Sequence, residues 1–356
     1  MRPPRPTRPR PSPSHPLVPP SREEPAVHLL AANENPYPPL PSVAEALADA
    51  AGRANRYPDR AATELTDRLA ERLGVPAAHL ALGAGSVGVL QHLLQSFVRA
   101  DTDEVLYAWP SFEAYPHLTD IARGTSVRVP LGPGAVHDLD AMAAAVGEHT
   151  RVVIVCNPNN PTGTTVPGAD LERFLDRMPA GVLVVLDEAY REFVTDPRSA
   201  DGVALLAGRP DLVVVRTFSK AYGLAGLRIG YAVAHEPVAA RIRAAAVPFG
   251  VNAAAQAGAV ASLAAESELL SRVEELVKER ERTALALTDL GLAPAHSEAN
   301  FLWLGLGERA AEFGAACAEA GVAVRAFPGE GVRITIGTPE ANDTALAVAA
   351  AFAPRP

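Results

Sequence analysis

The stretch Thr217-Phe218-Ser219-Lys220-Ala221-Tyr222-Gly223-Leu224-Ala225-Gly226-Leu227-Arg228-Ile229-Gly230 decides how this chain is read. It follows an apolar run, Leu212 to Val215, that reads as a buried strand. The lysine therefore stands just past a strand end, among small and hydroxylated residues. A lysine forms a Schiff base with an aldehyde only after losing its proton, and crowding or a neighbouring cation favours that loss. Arg228 follows beside two glycines. Hydroxyls and a guanidinium are good partners for a phosphate ester. Thr217, Ser219, Lys220 and Arg228 thus suit a ligand that carries both an aldehyde and a phosphate, as pyridoxal phosphate (PLP) does. A single lysine at a strand end also reads as a solvated charge; the whole motif, not Lys220 alone, favours the anchor.

Outward from this motif, strand and helix signals alternate. Leu80 to Leu82, Glu104 to Tyr107, Thr125 to Val129, Val152 to Cys156, Val182 to Leu186, Leu212 to Val215 and Arg228 to Ala234 read as strands. Several are continuous Val/Ile/Leu runs, the pattern of strands buried on both faces. Helices are expected at Thr63 to Leu73, at Val87 to Arg99, and from Ser42, read as a cap, to about Ala51. Such alternation implies a mostly parallel sheet with helices on both faces, and ligands in such sheets sit at the carboxyl ends of the strands. Beyond Pro248-Phe249-Gly250, one long helical stretch is expected from Ala253 to Gly291. After it, Phe301 to Leu304, a helix from Arg309 to Ala320, Ala323 to Arg325, Gly331 to Ile336 and a helix from Pro339 suit a small α+β lobe.

Three further clusters fall where such a sheet places chemistry. Asp187 closes the run Val182 to Leu186, and a carboxylate there is costly unless paired. A protonated pyridine nitrogen is one such partner, and the pairing keeps the ring an electron sink; a helix N-cap is the other reading. Tyr190 lies within reach of the phenolic oxygen of the same ring. Cys156-Asn157-Pro158-Asn159-Asn160-Pro161-Thr162-Gly163 is a turn by composition. Leu82-Gly83-Ala84-Gly85-Ser86-Val87-Gly88 links a strand to a helix, and the Ser86 hydroxyl and Val87 amide suit a phosphate. A dinucleotide fold shares such a loop, but the acidic residue expected downstream is missing.

Taken together, these motifs resemble the class I/II PLP-dependent aminotransferases, in the histidinol-phosphate aminotransferase branch. The resemblance runs from about Leu29 to Gly337. It implies an α/β PLP-dependent aminotransferase fold: a large domain with a mostly parallel seven-stranded sheet sandwiched by helices, plus a small α+β domain joined by the N-terminal segment. It implies that Asn160 bonds the ring oxygen and that Phe112, in Pro110-Ser111-Phe112-Glu113-Ala114-Tyr115-Pro116, stacks on the ring; core packing is the alternative for Phe112. It implies that Tyr57, in Arg56-Tyr57-Pro58-Asp59, crosses to a neighbouring subunit's cofactor phosphate, making a homodimer. Arg333, in Val332-Arg333-Ile334-Thr335-Ile336-Gly337, is implied to grip the substrate α-carboxylate bidentately; a structural ion pair is the alternative. Asn33, Tyr37, Asn160 and Arg325 complete the implied substrate side. The glycine loop departs from the family's usual acidic pair, having Val87-Gly88. With Ser111 to Pro116, that departure resembles the actinobacterial aromatic (phenylalanine-type) aminotransferases more than the histidinol-phosphate enzymes.

Composition bounds the rest. The chain has 356 residues, 48% of them hydrophobic, enough for two domains. The expected division is a Pro/Arg-rich disordered tail (1–25), an N-terminal segment (26–50), the large PLP-binding domain (51–250), and a linking helix with the small domain (251–356). A net charge of −9 argues against a nucleic-acid surface, and no apolar run is long enough to span a bilayer. Cys156 and Cys317 lack metal-ligand spacing and fit a cytoplasmic protein. The expected activity is transamination between an aromatic L-amino acid and 2-oxoglutarate, with Lys220, Asp187 and Tyr190 as catalytic residues. Histidinol-phosphate aminotransferase is the alternative. A threonine-phosphate-type PLP decarboxylase and an aminotransferase-like regulator are remoter ones.

Overall fold

The structure, a computed structural model, describes residues 27–353, so the expected tail at 1–25 lies outside the described residues. Its strands are β1 (His28–Leu30), β2 (Leu80–Gly83), β3 (Glu104–Trp109), β4 (Thr125–Pro130), β5 (Thr150–Cys156), β6 (Leu183–Asp187), β7 (Leu212–Thr217), β8 (Gly230–Ala234), β9 (Phe301–Leu304), β10 (Val322–Phe327) and β11 (Gly331–Thr335). Its α-helices are α1 (Pro41–Ala51), α2 (Thr63–Leu73), α3 (Gly85–Phe97), α4 (Ala114–Ile121), α5 (Leu139–Ala144), α6 (Gly168–Asp176), α7 (Glu236–Ala245), α8 (Ala253–Ala264), α9 (Glu266–Asp289), α10 (Ala310–Glu319) and α11 (Pro339–Phe352).

Seven strands form one sheet in the order β2-β8-β7-β6-β5-β3-β4. All run parallel except β8, which pairs antiparallel with both β7 and β2. Alternate residues face opposite sides of a strand. On β5, Val153 and Val155 join one hydrophobic cluster, while Val152 and Ile154 join the other. Helices α3, α4 and α7 cover the second face through Val89, Leu93, Leu118 and Ile242; α2 and α6 help cover the first through Leu65, Leu69 and Phe174. Burying each such side chain contributes about 1.5–3 kcal/mol. A second sheet, β1-β10-β11-β9, is the α+β lobe, and β1 joins it by pairing parallel with β10. The mostly parallel sheet, the helices on both faces and the docking of the N-terminal strand all match expectation.

Two local expectations are corrected. Ser42 caps nothing: Leu40 holds the cap position of α1, with Pro41 in the first turn, where its missing N–H costs no hydrogen bond. The stretch from Ala253 to Gly291 is two helices, broken at Ala265. Glu266, the first residue of α9, accepts from Arg72 Nε at 2.6 Å and from the Tyr222 hydroxyl at 2.7 Å. These tertiary bonds tie the α9 start to α2 and the Lys220 loop.

Candidate active site

A cleft of about 220 Å³ opens at the carboxyl ends of the parallel strands. Residues just after β2 (Ser86, Val87), β3 (Phe112, Glu113), β5 (Asn160) and β7 (Ser219, Lys220) line it, together with Asp187 at the end of β6. Ala32, Asn33 and Arg333 close it from the side of the smaller sheet.

One end of the cleft is built for an anion. Helix α3 starts at Gly85, so the amides of Ser86 and Val87 lie in its first turn, where backbone donors and the helix dipole favour negative charge. Thr217 Oγ1 donates to Ser219 Oγ at 3.0 Å, and Arg228 Nη1 donates to the same hydroxyl at 3.2 Å. The approach is close. A Cβ on Gly85, at φ +74°, would come 2.3 Å from Arg228 Nη2, and one on Gly230 would come 2.4 Å from the Ser86 amide nitrogen. Glycine at both positions lets strand, helix start and guanidinium converge.

At another wall stands Asp187, buried at 2% exposure. Its Oδ2 accepts the Tyr115 hydroxyl at 2.7 Å, while Oδ1 is buried without a partner. Burial pushes its pKa up to about 6, opposed by the Tyr115 bond and the Ala189 amide. The register of β5 and β6 sets Cys156 beside it, and burial plus the Asp187 charge push that thiol up to about 12. Asp187 is not a helix cap: it ends β6, and the next element is a single 3-10 turn, Arg191–Phe193.

Lys220 Nζ lies 5.9 Å from the centroid of the Tyr190 ring and donates to Ala32 O at 3.1 Å. Burial, and then the Arg333 charge, bring its pKa down to about 8. Asn33 Nδ2 donates to the Tyr190 hydroxyl at 2.9 Å, and burial holds that phenol above its ordinary range. Arg333 is 7% exposed. Its Nη1 donates to Asn160 Oδ1, its Nη2 donates to Ala31 O, and its Nε has no partner. No protein carboxylate pairs with it among the described residues, so the ion-pair alternative finds no partner.

The cleft therefore gathers Lys220, Asp187, Tyr190, Asn33, Ser86, Val87, Phe112, Asn160, Thr217, Ser219, Arg228 and Arg333. Three expected residues lie outside its lining. Tyr37 is half-buried, its ring 5.7 Å from the Arg272 guanidinium. Tyr57 is 84% exposed and packs on Phe249 with centroids 4.9 Å apart. Arg325 sits at the rim, paired with Glu113. Other residues shape the site without having been singled out from the sequence. Tyr115 holds Asp187. Arg216 holds Glu188 at 2.7 Å and Asp201 at 2.6 Å, tying β7 to the residue after Asp187. Asn159 accepts from Ser111 Oγ at 2.8 Å and so pins the Phe112 loop.

These residues fit PLP on three observations. The Asp187 Oδ1, buried without a protein partner, suits a donor such as a ring N–H, the α3 start with Arg228 forms an anion cradle, and Lys220 in the same cleft loses its proton at a lower pH than an ordinary lysine.

Comparison with known proteins agrees. The family model described as aminotransferase class I and II matches residues 25–348. The chain is 60% identical over 328 residues to an aromatic amino acid aminotransferase of Streptomyces avermitilis, covering 92% of this chain and 91% of that protein. It is 58% identical over 337 residues to the protein of the same name in Streptomyces coelicolor, covering 95% and 94%. Among solved structures, histidinol-phosphate aminotransferase of Sinorhizobium meliloti in complex with pyridoxal-5'-phosphate superposes with a TM-score of 0.85 at 30% identity, covering 92% of each chain. This chain belongs to the class I and II aminotransferases and is a PLP-dependent enzyme.

Proposed function

We propose that this enzyme transfers an amino group between an aromatic L-amino acid and 2-oxoglutarate. One observation carries the chemistry: Arg333, whose guanidinium lacks a protein carboxylate among the described residues, lines the same cleft as the low-pKa amine of Lys220. A donor whose α-carboxylate meets that fork presents its amine and α-carbon to Lys220. The aromatic donor is supported by the names of the relatives at 58–60% identity. Bound PLP supplies the electron sink and carries the amino group between the two substrates. Lys220 would anchor the cofactor aldehyde, and its freed amine would carry the proton from the donor α-carbon to C4′ of the cofactor. Asp187 offers Oδ1 to the protonated ring nitrogen. Tyr190, set by Asn33, and Asn160 would hold the phenolic oxygen, and Phe112 would pack on the ring. Ser86, the Val87 amide, Thr217, Ser219 and Arg228 hold the phosphate.

The active unit in this reading is a homodimer in which Tyr57 reaches the phosphate of the other subunit. Its 84% exposure, beside the exposed Phe249 and Val247, supports that role. The division into 26–50, 51–250 and 251–356 is supported by the described strands: β2 to β8 fall within 51–250, while β1 and β9 to β11 fall outside it. Among the described residues no helix is long and apolar enough to cross a membrane. Both cysteines are free and buried, which supports a cytoplasmic setting.

The second reading, histidinol phosphate as donor, is favoured by Arg325 at the rim and by the Sinorhizobium structure. A donor screen with phenylalanine, tyrosine and histidinol phosphate, each with 2-oxoglutarate, decides between them. A tenfold or greater kcat/KM preference for histidinol phosphate, about 1.4 kcal/mol, overturns the aromatic assignment.

A further inference from the structure

We propose that Thr335, a residue outside the cleft lining, fixes where the Tyr190 hydroxyl sends its hydrogen, acting through the side-chain amide of Asn33. The proposal rests on the reading above in which that hydroxyl serves the phenolic oxygen of PLP. Thr335 ends β11, two residues past Arg333, and is buried. Asn33 is buried too, at φ +55°, a left-handed backbone that Asn tolerates better than most residues. Thr335 Oγ1 accepts the Asn33 backbone N–H at 3.0 Å and donates to Asn33 Oδ1 at 3.0 Å. Asn300 Nδ2 donates to the Asn33 carbonyl at 3.2 Å. The Asn33 Nδ2 is then left for the Tyr190 hydroxyl, to which it donates at 2.9 Å.

Counting hydrogens gives this chain its direction. A threonine hydroxyl has one hydrogen, and a primary amide can turn end for end. Among the described residues the Thr335 hydrogen has one side-chain acceptor, Asn33 Oδ1. Turning the amide would set its NH2 against Thr335 and leave that hydrogen unmet, which is costly in a buried place. It would also set Oδ1 against Tyr190, where it would take the phenol hydrogen. With the amide pinned, the Tyr190 oxygen accepts from Asn33, and its hydrogen has no protein acceptor among the described residues. That hydrogen is free for the phenolic oxygen, and hydrogen bonds running in one direction strengthen one another. Thr335 is thus a positioning residue. It joins the strand that carries Arg333 to the tyrosine on the other side of the cleft.

The test reads the pH midpoint of the visible absorbance of the PLP-loaded enzyme, with neither substrate present. That midpoint reports the proton shared between the phenolic oxygen and the nitrogen joining the cofactor to Lys220. A hydrogen donated to the oxygen by Tyr190 competes for it and holds the midpoint down. Lys220, Arg333, Asp187 and Cys156 also act on Tyr190, and all four stay unchanged in every variant. Tyr190→Phe is expected to raise the midpoint by about one unit. Thr335→Val, which keeps the shape and removes the hydroxyl, should raise it by about half a unit, and Thr335→Ala should move it the same way. Thr335→Ser keeps the hydroxyl and should leave the midpoint in place. In the Tyr190→Phe background, Thr335→Val should add nothing. A Tyr190→Phe shift without one beyond about 0.2 unit in Thr335→Val and Thr335→Ala overturns the proposal alone, as does an equal Thr335→Val shift without the Tyr190 hydroxyl. No shift in Tyr190→Phe removes Tyr190 from the phenolic oxygen and overturns both readings.

Discussion

The Tyr115 hydroxyl donates to Asp187 Oδ2 at 2.7 Å, while Oδ1 of the same carboxylate is buried with no protein partner. One oxygen is thereby fixed, and the other is the one that the proposed function pairs with the cofactor ring nitrogen. Tyr115 projects from α4, and its own burial is complete at 0% exposure. Tyr115→Phe keeps the packing and removes this bond, worth about 0.5–1.5 kcal/mol for a neutral donor and more toward a charge. The expected result is a cofactor dissociation constant and a kcat each worse by roughly tenfold. Titration of cofactor-free protein with PLP checks the first and steady-state turnover the second. Wild-type values in both would reduce Tyr115 to packing.

Asp187→Asn should retain the cofactor, because the proposed phosphate contacts of Ser86, Ser219 and Arg228 are untouched by it. An amide cannot keep the ring nitrogen protonated by charge, so turnover should fall by about a thousandfold or more, ~4 kcal/mol. Without cofactor the same substitution should stabilise the fold. The folded-state pKa of Asp187 is about 6, against an ordinary 3.8, so between those values the folded state binds more protons. Stability therefore drops as pH rises through that window, and the penalty is complete above pH 6. Calorimetry of cofactor-free protein should show Asp187→Asn melting higher than wild type at pH 8, with the gap closing below pH 6. A gap independent of pH would mean that Asp187 ionises normally.

Lys220→Ala should remove both the visible absorbance of the bound cofactor and transamination. The pH dependence is a finer check. In cofactor-free protein the Lys220 pKa is about 8 rather than 10.5, because its burial and the Arg333 charge disfavour the ammonium. The rate of PLP uptake should rise with pH and level off above about 8. Between 8 and 10.5 an unfolded lysine is protonated and the folded one is not, so folding stability gains with pH across that window. Uptake that keeps rising to pH 10 would show a normal lysine.

Much of this site was legible because its residues follow strands that announce themselves. The runs ending at Cys156, Leu186 and Val215 are apolar on both faces, and the chemistry sits shortly after each. Other parts were not legible. A tyrosine such as Tyr115, three residues past Phe112, carries no local mark to separate a core ring from one that holds a carboxylate. The Glu113–Arg325 pair joins residues far apart in sequence and exists only once the two sheets meet. Ala265 breaks a helix inside a stretch without proline, and the bonds of Glu266 to Arg72 and Tyr222 accompany the break. Pro41 displaced the cap that Ser42 suggested.

Arg333→Lys tests the substrate end. The Arg333 fork spans Asn160 Oδ1 and Ala31 O while its Nε remains open in a 7% exposed setting. A lysine keeps the charge but offers a compact point donor in place of the planar fork, so it cannot both hold Asn160 and meet a carboxylate bidentately. The expected loss in kcat/KM is about a hundredfold, ~2.7 kcal/mol, and equal for phenylalanine and tyrosine, since both present the same α-carboxylate. 2-Phenylethylamine, which lacks that carboxylate, provides the contrast. Its single-turnover reaction with the loaded enzyme, already slow, should lose far less on the same substitution. If the amine and the amino acid lose equally, Arg333 acts by shaping Asn160 and the cleft wall, and the carboxylate is held elsewhere.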